Sequence, residues 1–91
     1  MKADYLACYD IADPKRLVRV YRFMKGQGVH LQYSVFQCAL TWPELQRLKE
    51  KLASLIDIKE DDIRIYPLPE NSLVEAIGCG GRVPKGIDLF Q

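Results

Sequence analysis

Apolar and polar side chains alternate from Tyr5 to Ile11. Tyr5, Ala7, Tyr9 and Ile11 fall on one side of an extended chain; Leu6, Cys8 and Asp10 fall on the other. Both sides are largely apolar, and the second ends on a lone carboxylate. The period then changes. Asp13 suits a helix N-cap and Pro14 the first helical position. Leu17, Val20, Tyr21 and Met24 recur at helical spacing, while Lys15, Arg16, Arg19, Arg22 and Lys25 fill the positions between them. Gly26 and Gly28 stop the helix.

From His30 to Leu40 the pattern is extended again, with a break. Leu31, Tyr33 and Val35 share one phase; Phe36, Cys38 and Leu40 share the opposite one. A phase flip near Ser34 predicts a tight turn or a bulge between two strand segments. Thr41-Trp42-Pro43-Glu44 is a capping box with proline in the first turn, and Leu45, Leu48, Leu52 and Leu55 line one face of the helix that follows. An acidic turn, Glu60-Asp61-Asp62, leads into a strand from Ile63 to Leu68. Pro67 and Pro69 close it, which suits an edge. Leu73 to Ile77 reads as a short final strand, and the tail beyond has no period but carries Val83, Ile87, Leu89 and Phe90.

The order β-α-β-β-α-β plus a short C-terminal strand predicts an α+β, ferredoxin-like domain over residues 1–78, with residues 79–91 as a docking tail. Both helices then cover one sheet face. The other face, carrying Leu6 and Cys8, predicts a dimer packed sheet against sheet.

Composition narrows the function classes. The chain has 91 residues and a formal charge of +1, which argues against a generally basic nucleic-acid binder but allows a local basic patch. Three cysteines without a C-x-x-C pair argue against a disulfide framework or a zinc site; Cys8 and Cys38 read as core residues. No apolar run approaches the ~20 residues of a membrane helix, and the chain starts on a strand, so the expected location is the cytoplasm. The basic stripe of the first helix can follow a phosphate backbone without reading bases, or can be a solvated face. The acids gather elsewhere, at Glu44, Glu50, Asp57 and Glu60 to Asp62, as contacts for a basic partner. Asp10 either terminates the strand or contributes a hard oxygen ligand. Two copies facing across a two-fold axis would supply two carboxylates. Tyr9 and Phe36 are either core aromatics or stacking platforms, the latter requiring exposed rings. His30, the single histidine, reads as a surface or interface residue.

The segments YDIADPKRLVRV and QYSVFQC, separated by a short helix ending in glycine, resemble the signature of CRISPR-associated protein two, the small non-integrase subunit of spacer acquisition. The resemblance covers Tyr5 to Ile77. It implies a ferredoxin-like homodimer whose last strand often joins the partner's sheet. It also implies that such dimers bridge the integrase, CRISPR-associated protein one, and hold a short DNA duplex. Members are assigned metal-dependent endonuclease activity on single-stranded RNA or double-stranded DNA. By this resemblance Asp10 is the catalytic and Mg2+-binding carboxylate, and Arg16, Arg19, Tyr9 and Phe36 are the nucleic-acid contacts. Some members carry arginine where this chain has His30. A toxin-type ribonuclease and a ferredoxin-like small-molecule regulatory module are the alternative functions.

Overall fold

β-Branched and aromatic residues in alternation need a sheet to pair with, and the leucine and valine stripes of the two helices need a face to cover. The computed structural model, which describes residues 1–75, 77 and 78, meets both needs. The chain runs β1(Ala3–Asp10), α1(Pro14–Lys25), β2(Val29–Gln32), β3(Val35–Leu40), α2(Trp42–Leu55) and β4(Asp62–Pro67). The sheet order is β2-β3-β1-β4. All neighbouring pairs are antiparallel, with β1 at the centre: Ala3 to Cys8 face Leu40 to Val35 on β3, and Tyr5 to Asp10 face Pro67 to Asp62 on β4. This is the ferredoxin-like arrangement that the element order predicts.

The core lies between the sheet and the helices. Ala7, Tyr9, Phe36, Cys38 and Leu40 from the sheet meet Val20, Tyr21, Met24, Leu48 and Leu52 from the helices. The helix ends follow the capping logic. Asp13 accepts from the Arg16 amide at 2.9 Å. Both halves of the capping box form: the Thr41 amide donates to Glu44 Oε1 at 2.8 Å, and the Glu44 amide donates to Thr41 Oγ1 at 3.3 Å.

Some expectations are met in detail and others are corrected. β1 begins at Ala3 and ends at Asp10, so Ile11 leaves the strand while staying buried in the turn. The phase flip is both a turn at Tyr33-Ser34 and a register shift between His30 and Gln32. Gly28 does more than end a helix: a Cβ there would run into the Gln37 carbonyl and the Cys38 sulfur, so β2 can approach β3 only through glycine. Cys38 is fully buried, whereas Cys8 lies half-buried on the sheet face away from the helices, and burial pushes both thiols upward in pKa. The expected strand at Leu73–Ile77 does not form among the described residues. Val74 and Ile77 instead line a 340 Å³ cavity with Leu6, Leu31 and Val35 on the open sheet face. The tail expectation, 79–91, lies outside the described residues. Among the described residues no helix is long and apolar enough to cross a membrane.

Candidate functional site

Asp10 is the last residue of β1 and is exposed. Alternation places it on the open face with Leu6 and Cys8. The antiparallel register then supplies what the linear sequence hides. Asp10 lies directly opposite Asp62, Cys8 opposite Arg64 and Leu6 opposite Tyr66. Directly opposed residues hold their Cβ atoms roughly 4.5–5.5 Å apart, and like charges so placed destabilise a sheet. A single chain therefore brings two carboxylates into opposed register at the end of its open face. Arg64 offsets part of this charge, donating from Nε to Asp62 at 2.9 Å. Asp10 takes part in none of the ion pairs formed among the described residues.

A hard cation such as Mg2+ takes one or two carboxylates and completes its shell with water and substrate oxygens. The pair Asp10 and Asp62 fits that demand in ligand chemistry. Among the described residues no group of three or more acidic, histidine or cysteine side chains could cage an ion. The donor set thus suits a loosely held, largely hydrated ion and does not suit zinc.

The two aromatics expected to contact bases are placed differently. Tyr9 is 5 % exposed and Phe36 is wholly buried, their rings stacked at 6.3 Å. Stacking on a base needs a free ring face, and neither has one. The reason is register: both alternate onto the helix-covered side. Burial, then the neighbouring Tyr21 and Tyr33, raises the Tyr9 phenol well above its ordinary pKa. Its hydroxyl finds no hydrogen-bond partner among the described residues. His30 is also corrected. Its ring packs against Phe36 at 4.8 Å and edge-on to Tyr21 at 5.4 Å, with Nε2 buried and without a partner among the described residues.

The α1 arginines separate into two kinds. Arg16 is half-buried and turned onto acids: its Nε donates to Asp61 Oδ2 at 2.8 Å, and its Nη2 to Asp61 Oδ1 at 3.2 Å and Glu60 Oε2 at 3.3 Å. Its guanidinium is occupied within the chain, which removes it from the phosphate stripe. Arg19 and Arg22 are exposed and join none of the ion pairs formed among the described residues. Asp61, read above as part of an acidic partner surface, has a side chain with no exposed area. The Arg16 bond, aided by the amides of Asp57 and Ala12, holds its carboxyl far below the usual range. Asp61 and Asp62 are the residues that sequence reasoning missed. Their available signal was a pair of acids opening the strand that pairs with the strand Asp10 closes.

A ferredoxin-like sheet with one face covered by helices and the other left open, with carboxylates at its rim, defines a small α+β protein with an uncovered sheet face. The comparisons narrow this class. The family model for CRISPR associated protein Cas2 matches residues 3–76. A CRISPR-associated endoribonuclease Cas2 of Thermodesulfovibrio yellowstonii is 57% identical over 90 residues, 99% of each chain. The crystal structure of Streptococcus pyogenes Cas2 superposes with a TM-score of 0.76 at 36% identity, over 82% of this chain and 99% of that one. A chain of a partial Cas6-RT-Cas1–Cas2 complex matches with a TM-score of 0.67 at 28% identity, over 98% of this chain and 100% of that one. The chain belongs to the Cas2 family.

Proposed function

We propose that this protein is a homodimeric subunit of a CRISPR adaptation complex that bridges the Cas1 integrase, holds protospacer DNA, and has a Mg2+-dependent endonuclease activity at Asp10. One observation carries the reading: an exposed carboxylate, paired in register with a second, stands at the rim of an apolar sheet face in a Cas2 fold. The complex containing Cas1 and Cas2 supports an integrase as partner. Relatives named as endoribonucleases support phosphodiester cleavage.

The open face supports the dimer. Leu6, Leu31 and Val35 are only half-buried in the lone chain and Tyr66 is exposed, and a second copy laid on this face would bury all four. Asp10 and Asp62 would hold the ion. When bound, Mg2+ supplies charge neutralisation at a phosphodiester and an activated water. Arg19 and Arg22, on the outer side of α1, would contact phosphates of either RNA or DNA without reading sequence.

The test is cleavage of a short single-stranded RNA and a short duplex DNA by the purified dimer, with Mg2+ or with chelator. Wild type is expected to cut one of them only with the ion, and Asp10→Ala to stay folded and dimeric without cutting. A folded Asp10→Ala variant that cuts at the wild-type rate would refute the assignment of the activity to this carboxylate.

A further inference from the structure

Two turns meet at one side chain. The β1–α1 turn follows Asp10, and the α2–β4 turn precedes Asp62. Between them sits the Asp61 carboxylate, without exposed surface. It accepts from the Ala12 amide at 2.9 Å, the Asp57 amide at 2.8 Å, and Arg16 at 2.8 and 3.2 Å. An ionised carboxylate offers about four acceptor sites, so this one is saturated. Two of its donors come as a single arginine fork, which fixes direction as well as distance. The fork itself is anchored, because the Arg16 amide is the donor that Asp13 caps.

The joint has neighbours that matter. Ala12 lies two residues after Asp10, and Asp62 follows Asp61 directly. Both halves of the facing carboxylate pair are therefore suspended from the same buried group. Left alone, two like charges in opposed register push their strand ends apart. A saturated joint between the two turns opposes that.

We propose that Arg16 and Asp61 form an internal clamp that sets the spacing of Asp10 and Asp62. Both are positioning residues for the chemistry at Asp10, and Arg16 does not contact nucleic acid. The phosphate contacts of α1 fall to Arg19 and Arg22. The positioning half rests on the proposed activity of Asp10; the exclusion of Arg16 from the phosphate contacts stands without it.

The experiment compares Arg16→Ala, Arg16→Lys, Asp61→Asn and Arg19→Ala as full-length dimers. In metal-free binding of a short single-stranded RNA across a salt series, Arg16→Ala is expected to keep the wild-type slope. Arg19→Ala is expected to lower it by about 0.7 for the phosphate contact removed. In Mg2+-dependent cleavage of the same RNA, Arg16→Ala and Asp61→Asn are expected to lose on the order of 10- to 100-fold in kcat with KM unchanged, the scale of a small misplacement of a reacting group. Arg16→Lys keeps the charge and loses the fork, and is expected to fall with them. Hydrogen exchange at the Ala12 and Asp57 amides should speed up in the clamp variants while β1 and β3 stay protected, separating local release from unfolding.

A salt slope that drops as far in Arg16→Ala as in Arg19→Ala would overturn the proposal. So would wild-type kcat together with unchanged exchange at Ala12. Should Asp10→Ala cut like wild type, the activity assignment fails on its own. The slope and the amide exchange then still decide the clamp.

Discussion

Replacing Tyr9 by phenylalanine removes one oxygen from the core and should stabilise the protein. Tyr9 is 5 % exposed, between Phe36 and the helices, and its hydroxyl has no hydrogen-bond partner among the described residues. In the unfolded chain that hydroxyl bonds to water. On folding it loses the bond and gains none, which costs about 1–3 kcal/mol. Tyr9→Phe keeps the ring, its stacking on Phe36 and its rotamer, and leaves behind only the space of one oxygen, which offsets part of the gain. The expected net effect is about 1 kcal/mol of added stability, or a Tm higher by about 4–8 °C in a domain of this size. The assay is thermal unfolding by circular dichroism at fixed protein concentration, because an associating protein melts in a concentration-dependent way. Cleavage and RNA binding should be unchanged. A Tm lowered by several degrees would refute the reasoning, since the hydroxyl would then be bonded in the folded protein.

Phe36→Ala should lower stability by about 3–5 kcal/mol in urea titrations, because the ring is wholly buried; a change under about 1 kcal/mol would move Phe36 out of the core. Gly28→Ala should lower the Tm, since the added methyl meets the Gln37 carbonyl and Cys38, and an unchanged Tm would mean that the approach of β2 to β3 is slack. Asp61 supplies a pH dependence. Its folded pKa is depressed by Arg16, so its contribution is fully present above the unfolded value of about 3.9 and is lost as pH falls through the folded value. The wild-type Tm should therefore drop more steeply than that of Asp61→Asn on going below about pH 4, and parallel acid profiles would contradict the clamp's charge. Asp10→Asn relieves a like-charge pair and should raise the Tm slightly, by less than about 1 kcal/mol in stability, while ending cleavage.

Local chemistry made most of the fold legible. Asp13-Pro14 and the Thr41–Glu44 box act over three residues, and alternation in Tyr5 to Asp10 needs only a sheet to pair with. What was not legible depends on which strands become neighbours. Nothing near Asp10 in the chain points to Asp62; the pair exists because β4 runs antiparallel to β1 in one register. The same holds for Arg16. Its spacing to Arg19 suggested a shared phosphate stripe, but Asp61, 45 residues away, turns it inward. Tyr9 and Phe36 show the limit of motif matching: aromatic residues within a family motif can be there to pack. The strand expected at Leu73–Ile77 shows a limit of a different kind, since apolar side chains that suggested a strand, Val74 and Ile77, line the open sheet face without entering a ladder among the described residues.

The bridging role is the central claim. It is tested by in vitro integration of a short duplex DNA by the cognate Cas1, with wild-type protein, with Asp10→Ala, and with neither. The account predicts integration with both proteins and none when the subunit is omitted, because the dimer face and the outer side of α1 are intact in Asp10→Ala. Integration at an equal rate without any added subunit would contradict it.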